Sequence, residues 1–198
     1  MSAFKNIMSW VWPILVGLLI AFVVKTFLFS FANVVGDSMA PNLQAGERTA
    51  LLKVAKIKRD SIIIFNAYGV DTQEPNVTPK TKYVKRVIGL PGDKIEYKNN
   101  GKLYVNNKLV SQSYISKKQQ KSGTLILSTV LSPAPGVTLG TNKSFFVPKG
   151  KYFVLGDNRK ISNDSRYYGF VPKEKVLGVV KAFIWNKHHK LINSFNSN

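Results

Sequence analysis

Among 198 residues there are two histidines, His188 and His189, and no cysteine. The histidines are adjacent and near a polar C-terminal tail that is expected to fray, which argues against a Ser-His-Asp triad. Without cysteine there is no thiolate nucleophile, no disulfide and no Cys-based metal site. No EF-hand or paired-carboxylate spacing occurs either, so neither metal nor cofactor is expected. An enzyme built from this chain must take its base from lysine or a carboxylate. A serine hydroxyl can work with a lysine, provided desolvation leaves the amine neutral at working pH.

Three segments could supply that chemistry. Gly36-Asp37-Ser38-Met39-Ala40-Pro41 sets a serine on a tight turn bracketed by glycine and proline, where a hydroxyl is easily presented; a plain turn or helix cap reads the same way. Tyr83-Val84-Lys85-Arg86-Val87-Ile88-Gly89 reads as a strand whose two adjacent cations point to opposite faces, so at least one sits among apolar neighbours. Arginine cannot be deprotonated, so a base drawn from this pair is Lys85, leaving Arg86 for ion pairing or solvent. The alternative for Lys85 is an edge-strand charge. The third segment, Gly156 to Gly169, holds Asp157, Arg159, Ser162, Asp164 and Arg166. It is either a solvated turn with local side-chain bonds or a pinned ion-pair network, with Ser162 offering a hydroxyl to a buried amine.

The elements that must position these groups begin with residues 11–31, nearly all apolar except Lys25, Thr26 and Ser30, and long enough to span a bilayer. Lys25 comes late enough to snorkel, and Trp10 and Trp12 suit the opposite interface. Lys5 and Ser30-Phe31-Ala32 also fit a cleaved secretory leader; the length of the run and its lysine favour an uncleaved anchor. Few positive charges precede the helix and many follow it, but long domains translocate largely regardless of charge, so orientation must come from the chemistry.

Beyond the anchor, short strands separated by Gly, Pro and Asn turns are predicted at 49–52, 61–65, 83–88, 94–97, 103–105, 152–155 and 176–185. Asn99-Asn100-Gly101 closes a hairpin between the fourth and fifth of these, and Pro91-Gly92-Asp93 is a second turn. Residues 66–80 and 111–144 read as excursions, the second spanning about 105–145 with its flanks. The fold expected is mainly β: an N-terminal transmembrane helix, then a folded or barrel-like antiparallel sheet.

Together the three segments resemble the bacterial type I signal peptidase family in its compact Gram-positive form. The resemblance implies Ser38 as nucleophile, Lys85 as base, Ser162 orienting Lys85, and Asp157, Arg159, Asp164 and Arg166 as salt-bridged support. It implies a coiled β fold whose apolar face meets the lipid bilayer. The implied partners are exported preproteins, cleaved after small residues of the Ala-x-Ala type, with no metal and no nucleic acid. It also implies that residues 1–10 are cytoplasmic, 11–31 the anchor, and 32–198 an extracytoplasmic catalytic domain. Three departures stand out. Gly36 replaces a serine that in some members donates to the oxyanion, Asn42 replaces the usual threonine after Pro41, and Arg59-Asp60-Ser61 matches the family's Arg-Gly-Asp only loosely.

The formal charge of +19 attracts polyanions of any kind, yet the basic residues are scattered as on a solvated surface. A self-cleaving Ser/Lys regulator would lack residues 11–31. A charged adhesion module would need neither Ser38 nor Lys85, and no nucleic-acid motif or aromatic-basic stripe is present.

Overall fold

A computed structural model of the chain describes residues 2–98, 100–121, 134–140 and 143–194. Helix α1 (Ser2–Val23) continues into one π-helical turn, Val24–Leu28. The stretch Ser9–Leu28, with mean hydropathy 2.3, is long and apolar enough to cross a membrane. The helical segment stops at Leu28 and not at Phe31, because Phe29 turns to extended backbone and opens strand β1 (Phe29–Asn33). Lys53 fastens this exit, donating from Nζ to Thr26 O at 2.6 Å and from its backbone N–H to Leu28 O at 3.1 Å. These bonds satisfy carbonyls that a helix end otherwise leaves open. Ser30, Phe31 and Ala32, the residues that fit a leader cleavage site, are paired within a sheet.

After β1 come β2 (Arg48–Leu52), β3 (Ile62–Asn66) and β4 (Lys82–Gly89). Next are β5 (Lys94–Tyr97), β6 (Leu103–Val105), β7 (Lys108–Val110), helix α2 (Lys117–Lys121) and β8 (Ser144–Phe146). The chain ends with β9 (Lys151–Leu155), α3 (Ser165–Tyr168), β10 (Val171–Pro172), β11 (Val176–Lys181) and α4 (His189–Asn193). All strand pairs are antiparallel. One sheet runs β1-β2-β11-β3-β4-β9-β10 and a smaller one β7-β6-β5-β8. Both are open: β1 and β10 are edges, so the barrel-like form does not close.

The predicted β5–β6 hairpin forms with Ile95 opposite Val105 and Tyr97 opposite Leu103. Within its turn, Gly101 takes φ +76°, which glycine adopts at no steric cost; Asn99 lies outside the described residues. The strand expected at 176–185 ends at Lys181. The tail expected to fray is folded as far as Ser194: Ile192 is buried, and Asn193 exchanges side-chain bonds with the backbone of Ala182 at 2.8 and 2.9 Å. Of the 111–144 excursion, residues 122–133, 141 and 142 lie outside the described residues.

In β3, alternate side chains enter separate cores. Ile62 and Ile64 pack with Met39, Leu43 and Val180, while Ile63 and Phe65 pack with Val87, Val154 and Val179. A third core lies between the sheets, where Phe153 of β9 meets Phe145 of β8 at 4.9 Å between ring centroids. β4 lies between β3 and β9, but its ladder with β9 begins at Arg86, so among the described residues Lys82–Lys85 are paired on the β3 side alone. Because Phe153 is fully buried and joins the two sheets, Phe153→Ala should lower unfolding free energy by about 3–5 kcal/mol. Denaturant unfolding followed by far-UV circular dichroism measures this.

Candidate active site

The segment carrying Ser38 is anchored on both sides of the hydroxyl. Gly36 turns the backbone at φ +77°, a conformation that would strain a serine there. Ala40 N–H then bonds Asp37 O at 3.1 Å, and Asn42 and Leu43 both donate to Met39 O at 3.1 Å. Met39 and Leu43 sink into the core beside β3, leaving Ser38 half-buried at the surface of that plug. From the third segment, Asn158 N–H bonds Ser38 O at 3.0 Å and its side-chain amide reaches Asp37 O at 3.3 Å.

Lys85 and Arg86 are both buried, at 4% and 1% exposure. Lys85 Nζ lies 3.0 Å from Ser38 Oγ and 3.1 Å from Val84 O. Burial is the main influence on its amine and draws the pKa down to about 8; Asp164 opposes that and Arg166 adds to it. At mildly alkaline pH much of Lys85 is therefore neutral, and the same 3.0 Å contact can carry a proton from hydroxyl to amine.

Arg86 turns away from solvent into a bidentate pair with Asp157, Nε to Oδ1 at 2.7 Å and Nη2 to Oδ2 at 2.6 Å. Its Nη1 bonds Asp60 O at 2.8 Å, and its guanidinium stacks over the Tyr114 ring at 4.2 Å. Asp60 stands at φ +63°, in the left-handed region, where the family pattern has glycine and where aspartate is tolerated. Asn42, 2% exposed, donates to Asp157 Oδ2 and to Tyr114 O, both at 2.7 Å. Its amide offers two hydrogens where a threonine hydroxyl has one.

Asp157, Arg159, Asp164 and Arg166 of the third segment are pinned, but not as one network among themselves. Asp157 is taken by Arg86 and Asn42. Arg159 donates to Gly156 O at 3.0 Å and Tyr114 Oη at 3.2 Å. Asp164 pairs with Arg166 through two bonds of 2.7 Å and also accepts Gly156 N–H at 3.0 Å. Burial raises the Asp164 pKa, but the Arg166 charge and these bonds outweigh it and hold the carboxyl below its usual range. Arg166 also donates to the carbonyls of Arg159 and Ser162.

Ser162 is buried close to the Ser38 segment, yet its Oγ makes no hydrogen bond among the described residues, and the two bonds of Lys85 Nζ go elsewhere. Gly156 explains how closely these parts approach: a Cβ there would stand 2.2 Å from Ser162 Oγ and 2.5 Å from Ser38 O. A cleft of about 570 Å³ opens over Ser38 and Lys85, with Ala32 and Asn33 of β1 and Lys82–Val84 of β4 among its walls.

Of the residues that sequence reasoning singled out, Ser38 and Lys85 are in contact, and Gly36 shares their cleft. Asp157, Arg159, Asp164 and Arg166 lie buried nearby. Of the two alternatives for Arg86, ion pairing or solvent, the structure shows the ion pair, with Asp157 as partner. The parts played by Asn42 and Tyr114 are not legible in the sequence: Asn42 offers a signal only in its departure from threonine, and Tyr114, in an excursion, offers none.

The family model described as signal peptidase, peptidase S26, matches residues 7–185. A signal peptidase IB of Staphylococcus aureus is 37% identical over 186 residues, covering 91% of each chain. A signal peptidase I P of Bacillus subtilis subsp. natto is 39% identical over 182 residues, covering 88% of this chain and 87% of its own. A crystal structure of a signal peptidase I from Enterococcus faecalis shares 32% identity, covers 64% of this chain and 97% of that one, and has a TM-score of 0.45. The chain belongs to the signal peptidase family, peptidase S26, in its bacterial type I form.

Proposed function

We propose that this chain removes signal peptides from exported preproteins, with Ser38 as nucleophile and Lys85 as general base. The observation that carries this reading is the 3.0 Å approach of a buried lysine amine to a serine hydroxyl at the floor of an open cleft. Lys85 takes the Ser38 proton as Oγ attacks the scissile carbonyl carbon. It then returns that proton to the departing amine as the peptide bond breaks, leaving an acyl-enzyme. Water, deprotonated by Lys85, attacks the ester; the acid product leaves and Ser38 regains its proton. The Ser38 N–H, which has no acceptor among the described residues, is free to face the developing oxyanion. Ser162, adjoining the dyad, steadies the neutral amine once substrate closes the cleft.

An extended substrate segment suits the cleft because Lys82–Lys85 offer backbone groups that no second strand among the described residues takes. Small residues at alternate positions, as in Ala-x-Ala, let that segment lie close to the floor. Preproteins emerge on the outer face of the cytoplasmic membrane, so residues 1–10 lie inside, the helix crosses, and the domain beyond it faces outward.

The decisive experiment is incubation of the purified chain with an Ala-x-Ala preprotein and N-terminal sequencing of the product. Ser38→Ala and Lys85→Ala should each lower kcat/KM by at least about 10³-fold while leaving far-UV circular dichroism unchanged; near-normal cleavage by either would remove the dyad. Because only the neutral amine can accept the proton, kcat/KM should rise with pH through about 8 and level above it. Replacing His188 and His189 with Gln should leave that limb in place, and losing it would hand the base to histidine. Protease added to intact protoplasts should digest the chain beyond Phe31; protection until lysis would put the domain in the cytoplasm.

A further inference from the structure

Asp71 lies in the 66–80 excursion, yet its carboxylate is buried at 3% exposure and directed toward the cleft residues. Its Oδ2 accepts the Tyr83 hydroxyl at 3.0 Å and the Asn163 amide at 2.6 Å. Its Oδ1 accepts the backbone N–H groups of Gln73 and Glu74 at 3.3 and 3.2 Å. Tyr83 belongs to β4, and its ring lies 5.2 Å from Lys85 Nζ. Asn163 belongs to the third segment, between Ser162 and Asp164. Both line the cleft, so one carboxylate joins two of its walls.

Its partners distinguish it from the other acids near Lys85. Asp157 and Asp164 each hold a buried guanidinium bidentately, so much of their charge is cancelled at source. The hydrogen-bond donors to Asp71 are all neutral. We propose that Asp71 is a positioning residue of the active site, tying the Tyr83 wall to the Asn163 wall and keeping an uncancelled negative charge within electrostatic reach of Lys85. This rests on the peptidase reading above.

The groups around this pair are few. Lys85 faces Asp164 and Arg166 from the α3 region, Asp157 from the end of β9, and Asp71 from its loop. Asp71 itself faces Tyr83 from β4, Tyr168 from α3 and Glu74 within its own loop. Burial pushes the Lys85 amine down, and Asp71 is one of the carboxylates that pull it back. Removing that charge should make the amine neutral at lower pH, so activity should persist further into the acid range.

The test is the pH dependence of kcat/KM for the full chain in detergent micelles, acting on an Ala-x-Ala preprotein. Absence of wild-type cleavage would overturn the peptidase reading and this inference with it. With an active wild type, Asp71→Asn should move the acid limb down by about half to one pH unit, because a charge is lost while the shape is kept. An unmoved limb in a folded Asp71→Asn protein overturns the proposal and leaves the dyad standing. A second variant, Tyr83→Phe with Asn163→Ala, cuts both ties and keeps the carboxylate. It should raise KM or lower kcat by at least about fivefold; wild-type kcat and KM in that variant would also overturn the proposal.

Discussion

The 3.0 Å contact between Lys85 Nζ and Ser38 Oγ sets the terms for the surrounding structure. An amine is useful as a base near neutral pH only if its charged form is made unfavourable, and burial is one means to that end. Burying a lysine costs stability unless neighbours are arranged so that it tolerates neutrality. Here the nearby charges occur largely as matched pairs, Arg86 with Asp157 and Arg166 with Asp164. Each pair contributes little net field, so desolvation remains the leading influence on Lys85.

Those pairs are better understood as geometry than as stability. A buried ion pair roughly breaks even against its desolvation cost, while loss of one partner leaves an uncompensated charge costing about 3–5 kcal/mol. What the pairs provide is position. Arg86 follows Lys85 on β4 and points the other way, so fixing its guanidinium on Asp157 fixes the strand that carries Lys85. Asn42 holds the same carboxylate from the segment that carries Ser38. Ser38 and Lys85 are thus referenced to one buried carboxylate, on the far side of the strand from their contact. Gly156 lets the third segment close against Ser38 O, and the backbone bond from Asn158 completes the clamp.

The anchor and the cleft are linked through the same sheet. The helical segment gives way at Phe29 to β1, whose ladder with β2 carries the chain from the apolar segment toward the Ser38 turn. Ala32 and Asn33 of that strand line the cleft, and Ser38 stands only ten residues beyond the last helical residue, Leu28.

Much of the chemistry is decided by residue type alone. Two adjacent histidines near the C-terminus argue against a Ser-His pair, the absence of cysteine excludes a thiolate, and of two neighbouring cations only lysine can lose its proton. Local pattern likewise determines the β5–β6 hairpin, whose turn residues and alternation are contiguous, and the apolar run of β3. Tertiary structure decided the rest. Whether Phe29 to Phe31 ends a helix or starts a strand cannot be read from a nearly continuous apolar run; pairing with β2 settles it. Strands as short as β7, β8 and β10 carry too few residues to show a period. Which aspartate meets which arginine depends on contacts such as Arg86 with Asp157, 71 residues apart. An ion pair has no sequence period, so its partner is chosen by the folded sheet, which brings β4 alongside β9.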